Sequence, residues 1–160
     1  MIRVADVSFD QLSQLLKAYT LELNLEADDA PIRGSFWGDP EAGIIGHKVF
    51  VRADTPVHSL LHETSHIICM SAERRARLNR DAGGDDLEEA AVCYLQVVLA
   101  DRIEALGRER LMQDMDAWGY SFRLGSTRRW FHDDADDAKE FLLNHGLLYS
   151  SGEPTLRLRV

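Results

Sequence analysis

Residues 55–70 of this chain read TPVHSLLHETSHIICM and predict a helix with two chemically different faces. Thr55 is a good N-cap, and Pro56 suits the first helical position, where its missing N–H removes no hydrogen bond. Wound at about 100° per residue, the segment gathers its aliphatic side chains on one side and its histidines on roughly the other. We therefore expect a helix that is anchored in the core by one face and lines a cleft with the other.

Two of these histidines, His62 and His66, stand four residues apart in the sequence His-Glu-Thr-Ser-His, with Glu63 between them. Imidazole groups at positions i and i+4 lie on the same side of a helix, so both can reach one tetrahedral ion at about 2.0–2.1 Å. The pattern H-E-x-x-H is the helix motif of zinc hydrolases. The sequence therefore predicts a zinc site; the alternative interpretation is a helix that merely carries surface histidines.

A further ligand is expected from residues 85–100, DDLEEAAVCYLQVVLA, which predict a long and mostly buried helix with an aspartate cap. Glu88 and Glu89 are the candidates, because a carboxylate completes a site of two histidines and one glutamate with one position open for water. Each glutamate also stands three residues after an aspartate, which is the spacing of a capping box, so the alternative role for either glutamate is to cap the start of the helix. The helical wheel leaves the choice open, since Glu88 borders the apolar arc and Glu89 lies nearly opposite.

Residues 44–105 resemble the gluzincin branch of the zincin metallopeptidases, thermolysin-like in its active-site helices. The resemblance includes a preceding strand, the H-E-x-x-H motif and a downstream helix that starts with glutamate and alanine. In that family the third zinc ligand is commonly a glutamate followed by a small residue, which favours Glu89 over Glu88. The resemblance implies Glu63 as the general base and Zn²⁺ ligation by His62, His66 and Glu89.

One departure from the family pattern concerns position 93. Thermolysin-like members have an aspartate four residues after the ligand glutamate, and Cys93 occupies that position here. The group that orients a ligand histidine must therefore come from elsewhere in the chain.

The mechanism implied by the motif is hydrolysis of an amide by a metal-activated water. Glu63 accepts a proton from this water and delivers it to the leaving amine. Such sites usually add a hydrogen-bond donor for the tetrahedral oxyanion. Spacing selects none of the candidates, which are His58, Tyr94, Tyr120, His132, His145 and Tyr149.

Local patterns predict one domain over residues 1–160, of mainly helical α+β class, with a short sheet packed beside the 55–70 helix. Residues 44–52 are rich in β-branched side chains and predict a strand whose edge, if exposed, would bind an extended peptide. The alternating residues 156–160 predict a terminal strand, and the N-terminus is a further candidate for the sheet. Other helices are expected over residues 9–23, 72–78, 101–117 with a break near Gly107, and 135–144.

Several exposed-looking side chains invite a role in substrate binding. For Phe36 and Trp37, in a turn-rich stretch, aromatic cover over the core is favoured over a substrate contact. The basic and aromatic segment 121–132 is expected to be a loop whose arginines 128 and 129 suit a substrate carboxylate, but ion pairing with nearby aspartates is favoured. The arginines of residues 72–78 are expected to be solvated.

Composition and charge exclude several classes of protein. The chain of 160 residues is 45% hydrophobic and 28% charged, as in ordinary globular domains. Its net charge of −9 argues against nucleic acid or an anionic membrane surface as a partner. No apolar run approaches a membrane span and no signal region is evident, so a cytoplasmic location is expected. Two cysteines in apolar helical runs exclude a disulfide scaffold.

The function predicted from the sequence is that of a zinc-dependent metallopeptidase acting on a peptide or protein substrate. One alternative is a zinc-stabilised module that binds a protein without catalysis, and another is a zinc hydrolase of a non-peptide amide or ester. Glu63 separates catalysis from a structural role, because catalysis requires the carboxylate whereas a structural zinc tolerates Glu63→Gln.

Overall fold

The computed structural model describes all 160 residues and contains seven α-helices and one small sheet. The strands are β1 (Glu22–Leu25), β2 (Gly43–Ile45) and β3 (Lys48–Val51). The helices are α1 (Phe9–Ala18), α2 (Val57–Cys69), α3 (Ala72–Ala76), α4 (Asp86–Ala100), α5 (Gly107–Trp118), α6 (Thr127–Asp133) and α7 (Asp136–Asn144). A short 3₁₀ helix, Val4–Asp6, precedes them. The predicted mainly helical α+β fold, with its sheet beside the 55–70 helix, is confirmed.

Helices α2 and α4 pack against each other and supply much of a hydrophobic cluster of 39 buried residues. Leu60 and Ile67 of α2 are fully buried, as are Leu95 and Leu99 of α4. Burial of each such side chain is worth about 1.5–3 kcal/mol, so the apolar faces hold the polar side chains of both helices in register. None of the helices combines the length and apolarity needed to cross a bilayer.

The start of α2 differs from the prediction by one residue. Pro56 is the N-cap and Val57 the first helical residue. The hydroxyl of Thr55 instead accepts a hydrogen bond from the backbone N–H of Arg52 at 2.9 Å, which closes the turn between β3 and α2.

The sheet has the order β1-β3-β2, with β3 parallel to β1 and antiparallel to β2. The single strand predicted for residues 44–52 is therefore wrong in detail, because two strands and a tight turn occupy this segment. Gly46 lies in that turn with φ +58°, a conformation that costs glycine little.

The structure settles whether residues 44–52 offer the exposed strand edge that would bind an extended peptide, and they do not. Both sides of β3 are paired, and neighbouring loops cover the outer side of β2. The Ile44 N–H donates to the carbonyl oxygen of Gly34, and the Arg80 N–H donates to the carbonyl oxygen of Ile44. Gly43 permits this approach, since a Cβ there would lie 1.9 Å from the carbonyl oxygen of Arg33. An extended peptide cannot add to β2 while these loops are in place.

The helix predicted for residues 9–23 ends early, at Ala18. Thr20 adopts φ +63°, which a right-handed helix does not allow, and the chain then enters β1. The apolar residues of this stretch therefore serve first a helix and then a strand.

Neither terminus joins the sheet, so the predicted terminal strands are wrong. Arg3 forms only an isolated bridge with Pro56. At the other end, the backbone N–H of Arg159 donates to the carbonyl oxygen of Ile68 at 3.0 Å. The tail thus satisfies a backbone acceptor at the end of α2 instead of pairing with a strand.

The expectation of solvated arginines in residues 72–78 is wrong for Arg75, whose exposed fraction is 4%. Its guanidinium donates to the carbonyl oxygens of Ile67, Met70 and Arg159 at 2.8–2.9 Å. Carbonyl groups in the last turn of a helix have no partner within the helix. Arg75 therefore fixes the end of α2 and the tail that crosses it.

Candidate metal centre

The structure brings His62, His66 and Glu89 together where α2 faces α4. Nε2 of His62 lies 3.0 Å from Oε1 of Glu89, and Nε2 of His66 lies 3.1 Å from Oε2 of the same carboxylate. The three potential ligand atoms lie within 4.8 Å of one another. Zinc bonds of 2.0–2.1 Å in a tetrahedron separate ligand atoms by about 3.3 Å. This set of nitrogen and oxygen donors therefore fits Zn²⁺ in type and spacing.

Glu88, the other candidate ligand, points away from the histidines. Its carboxylate lies 2.7 Å from Nη1 of Arg74 and 3.2 Å from Nη1 of Arg159. The cap of α4 is Asp85, which accepts a hydrogen bond from the backbone N–H of Glu88 at 2.9 Å. Of the two glutamates, the structure thus places Glu89 at the histidines and Glu88 in an ion pair, where Arg74 also departs from its expected solvated role.

Gln96 orients His62, a role that no local pattern in the sequence indicates. Its Oε1 lies 2.7 Å from Nδ1 of His62, while its Nε2 donates to the carbonyl oxygen of His58 at 3.0 Å. Because the amide nitrogen faces a carbonyl oxygen, Oε1 is the acceptor and Nδ1 of His62 carries the proton. In the neutral form of this ring, the lone pair of Nε2 would point at Glu89. Two electron-rich atoms 3.0 Å apart require a proton or a cation between them.

The spacing along α4 explains how Gln96, instead of the residue at position 93, can orient His62. Residues 89, 93 and 96 follow the i, i+4, i+7 pattern and lie on one face of the helix. Cys93 is buried and free on this face. No side chain does the same for His66, whose Nδ1 is buried without a hydrogen-bond partner.

Glu63 lies beside the cluster with an exposed fraction of 8%. Burial raises the pKa of its carboxyl group above the usual range, and the neighbouring His66 and His62 partly oppose the rise. A raised pKa makes a carboxylate a stronger proton acceptor near neutral pH. Glu63 therefore has the position and the raised pKa that a general base at this cluster would need.

Two cavities flank the cluster, and His62, Glu63 and Glu89 line both. The smaller, of about 290 Å³, extends to the loop 80–84. The larger, of about 520 Å³, extends to Tyr120 and the end of α5.

Phe36 and Trp37 are 51% and 75% exposed and do not cover the core, so the favoured interpretation of these rings is wrong. They contact each other edge to face, with ring centroids 5.0 Å apart. Trp37 lines both cavities and Phe36 the smaller one. These rings therefore form part of the wall of the cleft.

Among the candidate oxyanion donors, Tyr120 is the one that lines a cavity at the cluster. Its hydroxyl lies 3.2 Å from Nδ1 of His58, which is itself 1% exposed. Burial raises the pKa of Tyr120 to about 12, so its hydroxyl keeps its proton at neutral pH. Tyr94 stacks on Phe131 in the core. The remaining candidates line neither cavity: His132, His145 and Tyr149.

Residues 121–132 do not line the cleft, and their second half is helix α6, not a loop. Arg123 pairs with Asp134 at 2.5 Å, and Arg128 pairs with Glu109 at 3.1 Å. The expected pairing of Arg128 and Arg129 with the nearby aspartates is therefore wrong, because Arg128 pairs with a glutamate of α5 and the aspartate pair is made by Arg123.

The buried ring of His58 should make the stability of the protein depend on pH. Burial, followed by the charge of His62, lowers the pKa of His58 to about 4, and its Nε2 is buried without a partner. In the unfolded chain the pKa of His58 is near 6.5, so the unfolded chain binds the proton more strongly than the folded protein. The contribution of neutral His58 to the free energy of unfolding is therefore complete above pH 6.5 and is lost as pH falls toward 4. The loss amounts to at most about 3 kcal/mol.

Urea unfolding of metal-free protein at pH 7.5, 5.5 and 4.5 measures this effect. Wild type should lose more stability across the series than His58→Gln. Parallel pH profiles for the two proteins would show that the pKa of His58 is the same in the folded and the unfolded protein, which would contradict the prediction.

Comparison of this chain with protein-family models, with curated proteins and with solved structures found no match.

Proposed function

We propose that this protein is a zinc-dependent metallopeptidase that hydrolyses amide bonds of peptides or proteins. The observation that carries the proposal is the meeting of His62, His66 and Glu89 beside the buried Glu63 in an open cleft. The H-E-x-x-H motif and its resemblance to gluzincins support the same assignment. A cytoplasmic location stays a prediction from the sequence.

His62, His66 and Glu89 would hold the zinc ion. When bound, zinc lowers the pKa of a water ligand toward about 7 and polarises a carbonyl group. Glu63 takes the proton from the attacking water at its carboxylate and transfers it to the leaving amine nitrogen. Gln96 keeps the proton of His62 on Nδ1 and so leaves Nε2 free to bind the metal.

Tyr120 is the donor proposed for the developing oxyanion, because its hydroxyl proton is retained and its ring lines the larger cavity. Such a donor contributes most when its hydrogen bond strengthens in the transition state. Its contact with His58 holds the hydroxyl group in place before substrate binds.

Metal removal tests the proposed function. Dialysis against dipicolinate should abolish hydrolysis of a casein-derived peptide mixture, and about one equivalent of Zn²⁺ should restore it. Magnesium should not restore hydrolysis, because it prefers six oxygen ligands. Circular dichroism before and after chelation controls for unfolding. Hydrolysis that persists in metal-free protein would contradict zinc catalysis, and a zinc-loaded protein without hydrolysis of any peptide would favour the binding module or a non-peptide substrate.

A further inference from the structure

We propose that the larger cavity is a subsite for a cationic substrate side chain, lysine or arginine, formed by Trp37, Glu41 and Trp118. This inference rests on the proposed peptidase function and names the class of peptide that it favours. The cavity adjoins His62, Glu63 and Glu89, so a side chain held there belongs to a residue close to the scissile bond.

Two hydrogen bonds hold the carboxylate of Glu41 at the cavity wall. The hydroxyl of Ser59 donates to Oε2 at 2.6 Å, and Nε1 of Trp118 donates to Oε1 at 2.9 Å. The backbone N–H of Ala42 donates to the same serine hydroxyl, which fixes the direction of the serine proton toward Glu41. Each carboxylate oxygen can accept a second hydrogen bond, so Glu41 retains acceptor positions for a ligand.

The negative charge of Glu41 has no cationic partner in the cavity, because no arginine or lysine lines it. A zinc ion at the metal centre would be balanced by the carboxylates of Glu63 and Glu89. Glu41 then remains as the anionic group available to a substrate cation. An apolar side chain in the same place would remove water from this carboxylate without replacing its hydrogen bonds, which is unfavourable.

The two tryptophans supply the second feature of a cation site. Trp37 is 75% exposed and Trp118 42% exposed, and both line the cavity with Glu41. Indole rings attract ammonium and guanidinium groups and also pack against the aliphatic stems of lysine and arginine. Aromatic walls beside a fixed carboxylate therefore match a long side chain with a terminal positive charge.

The smaller cavity differs, because Arg80 and Asp81 both line it and its charges are mixed. A preference for a basic residue is therefore expected on one side of the scissile bond only. Specificity of this kind would appear at a single position of the cleaved peptides.

The test digests a chymotryptic peptide library with zinc-loaded protein and identifies the cleaved bonds by mass spectrometry. In wild type, lysine and arginine should be enriched about tenfold over leucine and glutamate at one fixed position. Glu41→Gln and, independently, Trp37→Ala should reduce this enrichment toward background while cleavage continues. Asp81→Asn removes a carboxylate from the smaller cavity and is the matched control, which should keep the enrichment.

Enrichment of apolar or acidic residues at that position, or an enrichment that neither Glu41→Gln nor Trp37→Ala alters, would overturn the subsite. Failure to cleave any peptide would instead count against the peptidase function. The subsite is then tested by quenching of tryptophan fluorescence with N-acetyl-lysine amide and its norleucine analogue. Tighter binding of the lysine compound by wild type, lost in Glu41→Gln, supports the subsite, and equal binding of both compounds overturns it.

Discussion

Glu63→Gln should lower the rate of peptide hydrolysis by about 10²–10⁴-fold while zinc content stays at the wild-type level. Glutamine keeps the size of the side chain but cannot take a proton from water. Glu63 lies outside the group of three potential ligands, so its replacement leaves that group intact. The measurement is kcat/KM on a fluorescent reporter peptide, with elemental mass spectrometry of the same preparation.

His66→Ala is the comparison variant, since it should lose zinc and activity together. Wild-type activity in Glu63→Gln would remove this carboxylate from the mechanism. Loss of zinc from Glu63→Gln would show instead that the carboxylate is needed to hold the ion. The pattern of zinc retained and activity lost is the one that separates a peptidase from a zinc-stabilised binding module.

Glu88→Ala should lower the free energy of unfolding by about 3 kcal/mol. The Glu88 side chain is 5% exposed and joins Arg74 of α3 to Arg159 of the tail. Its removal leaves both guanidinium groups without their carboxylate in a partly buried place. This loss is at the lower end of the range of stability losses that follow when a buried ion pair is broken, because both arginines keep some contact with water. Urea unfolding at neutral pH measures the change.

Glu73→Ala is the matched control for this substitution. Glu73 pairs with Arg77 at 3.4 Å, and both side chains are largely exposed. Removing such a pair should leave the unfolding curve unchanged within error. If Glu88→Ala proved as harmless as Glu73→Ala, the ion pairs around Glu88 would not hold the tail and α3 to α4.

Helix α2 could be predicted almost completely from residues 55–70, because its signals are local. Its cap, its apolar stripe and the spacing of His62 and His66 depend only on neighbours in the chain. The choice between Glu88 and Glu89 as the third ligand does not depend on local signals alone. It depends on Arg74 and on Arg159, a residue 71 positions away from Glu88, and a helical wheel of α4 contains neither.

Gln96 and Glu41 show a second limit of local patterns. Gln96 has its role only because α2 lies against α4 at one particular register, which places its amide oxygen 2.7 Å from His62. Glu41 reaches the cleft through contacts with Ser59 and Trp118, on two other elements. Neither residue belongs to a short motif, and only the tertiary packing brings them to the centre.

The split of residues 44–52 into two strands has a similar cause. The β-branched composition predicts extended structure but does not show where the chain reverses. Gly46 marks the reversal. The pairing of β3 on both sides follows from the arrival of β1, whose first two residues, Glu22 and Leu23, the apolar pattern of residues 9–23 assigns to a helix.

Metal content of the purified protein is the most direct test of the zinc site. Elemental mass spectrometry should find about one zinc per chain in wild type, and none in His66→Ala or Glu89→Ala. Asp86→Ala, which removes an exposed carboxylate from the same first turn of α4, should keep its zinc. Full zinc content in Glu89→Ala would contradict the ligand set, and a wild-type protein that stays empty with added zinc would contradict the zinc site and the peptidase function with it.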